Sequence, residues 1–297
     1  MLVAPSYGMS RPSAHAQLHV IVLLWGCTAI LGRQISISAV PLVWYRLVLV
    51  IVALAVIVPA RRIPLRVPLR SALRYAGVGA LIGIHWLCFY GAIKVAGVAT
   101  AVITLSTIAF FTAVFEPIVF RRRVAVDELV IGAIVVVGVV LLIGVELRAD
   151  ALGLALGFAS ALFASLFGAI NGRYTRDEVP ERLMLYEMSA AAVVVSACFL
   201  VAPGQFVAPS ALSGADVGWL VVLAVMCTVV PQVWVLHVMR VLSPFTVAVS
   251  TNLEPVYALI LTAILFPTDE PLGLRFYLGA ALLLSLVVLN GVRKSRR

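Results

Sequence analysis

The sequence predicts an all-α polytopic membrane protein with ten transmembrane helices, arranged as two inverted five-helix repeats. Three observations support this prediction: the composition, the spacing of the apolar runs and the distribution of basic residues. The chain has 297 residues, of which 63% are hydrophobic and 12% are charged. A soluble domain carries about 25% charged and 45–50% apolar residues, so this chain has more apolar surface than a soluble core could bury. The composition therefore predicts a multi-pass protein in contact with membrane lipids.

The apolar runs account for nearly the whole chain. A spanning helix needs about 20 mostly apolar residues. Runs of this kind occur at 18–36, 39–58, 73–93, 98–120, 126–145, 152–172, 183–202, 216–239, 245–266 and 274–292. The connections between them are short, which leaves no room for a soluble domain. The function is therefore expected to reside within the membrane.

The basic residues set the predicted orientation. With the N-terminus in the cytoplasm, seventeen Lys and Arg residues fall in inside segments and four in outside segments. The four outside residues are Arg33, Lys94, Arg148 and Arg275. Because cytoplasmic loops carry the excess of positive charge, we expect a protein of the cell (inner or plasma) membrane with both termini cytoplasmic. Orientation also explains the net charge of +9, so no nucleic-acid partner is predicted.

The two halves of the sequence show a weak internal repeat. "GRQIS" after the first span resembles "GRYTR" after the sixth, and "VWYRL" in the second span parallels "MLYEM" in the seventh. The second match places Arg46 opposite Glu187. Halves of five spans each have opposite orientations in the membrane, as in many secondary transporters. We therefore predict a first repeat at 1–148 and a second at 149–297.

Two segments carry a resemblance to a known family. "KVAGVATAVITLSTIAFFTAVF" leads into the fourth span and "LSPFTVAVSTNLEPVYALILTAILF" into the ninth. With ten spans as five plus five, they resemble the EamA-like permeases of the drug/metabolite transporter superfamily. The resemblance implies ten helices around a central cavity, formed mainly by helices one, three, four, six, eight and nine. It also implies movement of small metabolites, often outward, with amino acids among the substrates of relatives, and it places Trp25 among the cavity candidates.

The ninth span contains the most informative pair, Glu254 and Pro255. A charged side chain at the centre of a spanning helix costs roughly 2.5–3.5 kcal/mol on the insertion scale. Pro255 lacks the amide that would bond to the carbonyl of Thr251. Helical spacing puts Thr251, Glu254 and Tyr257 on one face, next to Asn252, as expected of a cavity lining. Glu254 is expected to contact a cationic substrate group or to carry a coupling proton; the alternative is an acid that ties two helices together.

The first half departs from this pattern. By the sequence match, Thr107 and Ile108 stand where the second half has Glu254 and Pro255. The acid and the proline therefore occur together in one half only, which leaves open whether both halves bend alike.

Arg46, in the second span, is the other costly residue. Arginine stays charged, so it requires an anion, water or a route to the interface. It either binds a substrate carboxylate or phosphate, or pairs with an acid and sets helix packing, and snorkelling to the outer interface is open as well.

Aromatic and polar residues complete the predicted binding site. Trp86 and Tyr90 share a face of the third span, either as packing anchors or as a surface on which a substrate stacks. In the eighth span Gln232 shares a face with Thr228, and Pro231 frees another backbone carbonyl. The predicted substrate-binding residues are Glu254, Asn252, Thr251, Tyr257, Trp86, Tyr90, Gln232, Arg46 and Trp25.

These patterns favour a secondary-active transporter of small organic metabolites, with amino acids among the candidates, working by alternating access through a central cavity. The alternatives are a passive channel or facilitator, and a membrane-embedded enzyme. The sequence holds no paired intramembrane acids, nucleotide loop or cysteine–histidine cluster, so we predict no enzyme activity, metal or cofactor. The expected partners are a small-molecule substrate, membrane lipids and a candidate coupling proton; the oligomeric state is left open.

Overall fold

The computed structural model describes residues 9–143, 150–265 and 274–295, and these ranges contain helices and turns but no strand. The predicted boundary at 148/149, Arg148, and the adjacent acids Asp269 and Glu270 lie outside those ranges. The helices are α1 Arg11–Gln34, α2 Ala39–Ala60, α3 Leu69–Leu105, α4 Ile108–Phe120, α5 Val126–Ile143, α6 Ala151–Tyr174, α7 Pro180–Val201, α8 Gly214–Ala224, α9 Val230–Val238, α10 Pro244–Thr251, α11 Glu254–Leu265 and α12 Leu274–Ser295. The all-helical class is therefore confirmed.

Within residues 9–143, 150–265 and 274–295, seven helical segments are long and apolar enough to cross a membrane. They are Arg11–Gln34, Ala39–Ala60, Leu69–Val98, Thr100–Phe120, Ala151–Tyr174, Pro180–Val201 and Gly214–Val238. The other three predicted spans coincide with α5, with α10 and α11, and with α12. That these also cross the bilayer, for a total of ten, stays a prediction.

The third and fourth predicted spans meet at a kink at Gly97. α3 continues to Leu105, and only Gly97 departs from helical geometry, with φ 83° and ψ 168°. A side chain at this position would meet no atom within 4 Å. Glycine is therefore required here by the positive φ, which it adopts without steric cost, and not by lack of space.

Separate sets of polar contacts join neighbouring helices at each of the two ends of the molecule. At the end where α1 begins, called here the N-terminal end, Arg122 Nη2 lies 2.6 Å from Glu128 Oε2 and 3.1 Å from Glu116 Oε1, and Arg61 pairs with Glu181. The Glu116 contact is a local ion pair with the basic run at 121–123, which begins five residues further along the chain. At the opposite end, Ser36 donates to Asp216 through both its backbone nitrogen and its hydroxyl, each at 2.7 Å. Each end therefore has its own set of interactions.

The small residues of α6 allow close packing against α3. A methyl group on Gly153 would collide with Ala96, and one on Gly157 with Thr104. Such contacts drive helix association in lipid, where apolar burial between helices gains little. Gly168 belongs to the same stripe of small residues along α6, but it is not packed against a neighbouring helix. Nothing lies within 4 Å of the position that its Cβ would take. The stripe is therefore a packing surface except at Gly168, which faces open space.

Candidate functional site

A cavity of about 130 Å³ lies in the interior, between helices of both halves of the chain. Its walls come from the six spans that were expected to form it, namely one, three, four, six, eight and nine. Arg46 of α2, in the second span, lines it as well. Six of the nine predicted site residues line it: Trp25, Arg46, Trp86, Gln232, Thr251 and Glu254. The other three, Tyr90, Asn252 and Tyr257, lie outside the lining of this cavity.

Arg46 is held inside the molecule, with only 4% of its surface exposed. Its Nε donates to Thr228 Oγ1 at 2.8 Å and its Nη1 to the Tyr90 hydroxyl at 3.0 Å. The guanidinium carbon lies 3.8 Å from the centre of the Trp86 ring, a cation–π distance. These contacts exclude the snorkelling alternative. They also give Tyr90 a role: it does not line the cavity, but its hydroxyl accepts a hydrogen bond from Arg46.

A change in helix type between α8 and α9 positions Thr228. Residues Val225–Val229 form a π-helical turn, in which the amide of Val230 bonds to the carbonyl of Val225. Pro231 follows directly and lacks the amide that would continue the ordinary ladder. Within the turn, Thr228 Oγ1 donates to the Leu223 carbonyl at 2.7 Å while accepting from Arg46. Single π-helical turns of this kind are frequent at functional sites.

Glu254 begins α11 and is 6% exposed. Its nearest described hydrogen-bond partner is Thr28, whose hydroxyl lies 3.5 Å from Oε1 and donates more closely, at 2.7 Å, to the Trp25 carbonyl. A bond at the limit of the accepted distance contributes little. In the described part of the chain, no ion pair joins Glu254 to a base or Arg46 to an acid. The cavity wall therefore contains a basic and an acidic side chain, neither of which makes a direct ion pair within the described residues.

The predicted polar face of the ninth span is interrupted. The helix stops at Thr251 and restarts at Glu254, so the spacing of one continuous helix does not apply across this break. Tyr257 turns away from the cavity, and its hydroxyl lies 2.9 Å from His19 Nδ1. Asn252 points back along its own helix and donates to the Ala248 carbonyl at 2.9 Å. Thr251 and Glu254 thus both line the cavity, whereas Tyr257 does not share this face, because the prediction assumed an unbroken helix.

The fourth span is broken in the same way, although it has no proline at the break. α3 ends at Leu105 and α4 starts at Ile108, as α10 ends at Thr251 and α11 starts at Glu254. In place of a proline, Ser106 Oγ donates to the Ile103 carbonyl and Thr107 Oγ1 to the Thr104 carbonyl, each at 2.6 Å. Such local bonds compete with helix hydrogen bonds. Both halves therefore break.

The two breaks also correct the alignment of the halves. The helix starts place Ile108 opposite Glu254 and Ala109 opposite Pro255. This differs by one residue from the sequence match, which paired Thr107 with Glu254. Ile108 and Glu254 both line the cavity.

Sequence reasoning missed several cavity residues, among them Thr28, Phe89, Phe167 and Asn171. None of these carries a charge or a helix breaker, so nothing in the pattern singled them out. His85 also lines the cavity, while its Nδ1 lies 2.9 Å from both the hydroxyl and the carbonyl of Ser160. It is thus both a hydrogen-bonded packing residue and part of the wall. Among the described residues, no three His, Cys, Asp or Glu side chains converge as metal ligands.

The fold and the site define a multi-pass α-helical membrane protein with a polar cavity in its interior. The model of the EamA-like transporter family matches residues 14–144 and 151–292, nearly the whole sequence. The chain belongs to this family, which confirms the resemblance seen in the sequence. Its function is therefore that of a membrane transporter of small molecules and not that of an enzyme, and it contains two EamA repeats.

Known structures share this fold. One solved structure, described only as "Crystal structure of protein", is 17% identical, with a TM-score of 0.77, and the match covers 97% of this chain and 99% of that chain. At this identity the similarity concerns the fold alone. No curated protein sequence matches the chain.

Proposed function

We propose that the protein is a secondary-active transporter of small zwitterionic metabolites, with amino acids as the first candidates. The observation that carries the proposal is the presence of Arg46 and Glu254 in the wall of one cavity, neither of them in an ion pair among the described residues. A buried charge is costly unless it is paired. A zwitterion brings both counter-charges, since its carboxylate fits Arg46 and its ammonium fits Glu254.

The size and lining of the cavity support a small substrate. Pockets for drug-sized ligands measure about 300–1,000 Å³, and this cavity has about 130 Å³. Trp25, Trp86 and Phe167 provide apolar surface for the remainder of the substrate. The cavity therefore suits a compact molecule with two opposite charges and a short apolar part.

Alternating access has support at both ends. A second cavity of about 640 Å³ lies at the N-terminal end and shares Met239 and Pro244 with the first. At the opposite end, Lys94 donates to the Ile35 carbonyl and Tyr45 to the Val207 carbonyl, both at 2.7 Å. We propose that the substrate passes through the larger cavity in this conformation and that breaking the opposite contacts opens the other path.

Equivalent contacts favour inverted repeats at 1–148 and 149–297, with five spanning helices each. Lys94 contacts the carbonyl of Ile35, the residue after α1; Arg240 donates to the carbonyl of Thr175, the residue after α6, at 2.8 Å. The first contact lies at the opposite end and the second at the N-terminal end. Two halves related by inversion place equivalent contacts in this manner.

The basic residues favour an orientation with both termini in the cytoplasm of a cell (inner or plasma) membrane. Arg11, Arg122, Arg176 and Arg240 surround the larger cavity, and positive charge concentrates on the cytoplasmic side. With this orientation, the larger cavity takes substrate from the cytoplasm, which fits an exporter. Single cysteines placed in the α2–α3 and α7–α8 connections would test it, since a membrane-impermeant reagent should label only the second in intact cells.

Uptake into proteoliposomes tests the proposed transport directly. A panel of amino acids, amines, monocarboxylates and sugars is presented with and without a proton gradient. We expect saturable uptake of one or more zwitterions. Uptake that rises linearly with concentration would indicate the channel alternative, and uptake of neutral sugars alone would contradict the charge argument.

A further inference from the structure

A second buried acid lies next to the cavity and is not used by the proposed substrate. Glu187 on α7 is 0% exposed, and Asn171 on α6 is 1% exposed and contributes to the cavity wall. Asn171 Nδ2 donates to Glu187 Oε2 at 3.2 Å. The acid is thus one side chain away from the space that holds the substrate.

Each of the two side chains keeps a buried oxygen without a partner. Within the described part of the chain, neither Asn171 Oδ1 nor Glu187 Oε1 has a hydrogen-bond partner. An ionised carboxylate only accepts hydrogen bonds, and the amide oxygen only accepts as well. The pair therefore lacks one donor, and a single proton on Glu187 supplies it.

We propose that Glu187 and Asn171 form a proton-binding site that couples transport to a proton gradient; this proposal rests on the proposed transport function. In the protonated state, the Glu187 hydroxyl at Oε1 donates to Asn171 Oδ1 while Asn171 Nδ2 donates to Oε2. The acid and the amide then form a ring of two hydrogen bonds. On release, the O–H bond breaks, the proton passes to solvent water in the cavity, and the carboxylate keeps the bonding electrons.

Glu187 also differs from four other glutamates at the N-terminal end. Glu116, Glu128, Glu178 and Glu181 each pair with an arginine. Within the described ranges, Glu187 has no ion pair. No neighbouring positive charge therefore keeps the Glu187 carboxyl ionised, so it can gain and lose a proton.

Charged and titratable groups on the helices around α7 either have partners other than Glu187 or are exposed. On α2, Arg46 bonds to Thr228 and Tyr90. Other groups with partners of their own are Arg61 with Glu181 on α7, Tyr75 of α3 against the rings of Tyr174 and Tyr186, His85 of α3 with Ser160, Arg173 of α6 with the Val119 carbonyl, His237 of α9 with the Val233 carbonyl, Tyr45 of α2 with the Val207 carbonyl and Lys94 of α3 with the Ile35 carbonyl, while Arg70 and Arg74 of α3 are exposed. Asn171 is thus the polar side chain that forms a hydrogen bond with the Glu187 carboxyl.

The position of Glu187 connects it to the substrate site. α2 and α7 each contain 22 residues, and Arg46 and Glu187 are the eighth residue of their helices. One half therefore places a fixed positive charge at this position, and the other half places a titratable acid. At Glu187 the backbones of α3 and α7 touch, because a side chain on Gly79 would collide with the Glu187 carbonyl. A change of charge at Glu187 thus acts where two helices of opposite halves are in contact.

Infrared difference spectroscopy of the purified protein tests the proton site without any substrate. In a Glu254→Gln background, which removes the buried acid that lines the cavity, we expect a protonated carboxyl stretch at neutral pH that shifts in deuterium oxide and disappears when Glu187→Gln is added. The matched control, Glu181→Gln on the same helix, should retain it. The glutamine variant can form two hydrogen bonds with Asn171, so the fold should be kept. If it does not fold, Asn171→Ala should shift the band of an otherwise intact protein.

The outcomes separate the two proposals. A band that persists in Glu187→Gln, that is unchanged in Asn171→Ala, or that never shifts in deuterium oxide overturns the proton site, whatever the protein transports. In proteoliposomes given a mixture of radiolabelled amino acids, Glu187→Gln should keep counterflow but lose accumulation driven by a pH gradient. Accumulation equal to the wild type would also overturn the coupling role, whereas absence of counterflow in the wild type would count against the proposed substrate only.

Discussion

The two broken spans reach the same geometry by different chemistry. In the first half, Ser106 and Thr107 turn their hydroxyls onto carbonyls of the preceding turn; in the second half, Asn252 does so with its amide, and Pro255 follows. After the break, the first half presents Ile108 to the cavity and the second presents Glu254. The break is therefore common to both halves, while the acid belongs to one.

This difference separates what the fold requires from what the substrate site requires. A broken span exposes backbone polar groups within the membrane, which is tolerated where they face a cavity or protein. Both halves need this arrangement to enclose the cavity. Under the proposed function, only one acid is needed for a substrate with one ammonium group, and Arg46, from the other half, would bind its carboxylate.

The largest expected effect comes from removing the acid. Truncating one partner of a buried charge pair costs about 2–5 kcal/mol, so Glu254→Gln should lower affinity by about 30-fold or more. The matched position in the first half provides the control: Ile108→Leu should change affinity by less than about threefold, because it keeps the wall apolar. Initial uptake rates over a range of substrate concentrations measure both. Equal effects at the two positions would remove the distinction between the halves.

A conservative change at Arg46 should have the next largest effect. Arg46→Lys keeps the charge but loses the planar group that bonds to Thr228 and Tyr90 and stacks on Trp86. A hydrogen bond to a charged group contributes about 1.5–3 kcal/mol, so affinity should fall by roughly tenfold or more. Arg61→Lys, at the N-terminal end, is the control and should bind as the wild type does. Unchanged affinity in Arg46→Lys would show that the position of the guanidinium is unimportant.

The hydroxyl bonds at the first break should affect stability more than transport. Thr107→Val removes the hydrogen bond to the Thr104 carbonyl, worth about 1 kcal/mol, and replaces the threonine with a β-branched apolar side chain of similar size. We expect a small decrease in the thermal midpoint in detergent and near-normal substrate affinity. A large loss of affinity with an unchanged midpoint would assign the first break a direct role in binding.

The smallest effect is expected at Pro255. Its counterpart in the first half is Ala109, where the break forms without a proline. Pro255→Ala should therefore keep the break, with a change in affinity below about threefold, because Asn252 still bonds to the Ala248 carbonyl. Adding Asn252→Ala should produce a larger loss than either change alone. If Pro255→Ala by itself abolishes transport, the second break depends on the proline and the halves are less alike than their geometry suggests.

Composition and apolar spacing were sufficient to predict the helical membrane fold, because both follow from burial in lipid, whereas the cavity-forming spans were expected only from the family resemblance. The break at Ser106 and Thr107 was not predictable in the same way, since hydroxyl groups are compatible with a continuous helix as well as with a break. The Tyr257 prediction is wrong for a related reason: helical spacing holds only within one helix. The environment of Arg46 depends on a π-helical turn in another span, which the local sequence around Arg46 does not encode.

The central claim is that one substrate bridges Arg46 and Glu254. Counterflow in proteoliposomes, with an amino acid and its matched amine and carboxylic acid analogues as competitors, tests it most directly. We predict that the wild type prefers the zwitterion, that Glu254→Gln no longer distinguishes it from the carboxylic acid, and that Arg46→Gln no longer distinguishes it from the amine. If both variants transport but keep the preference of the wild type, the two charges do not bind the substrate and the account is wrong.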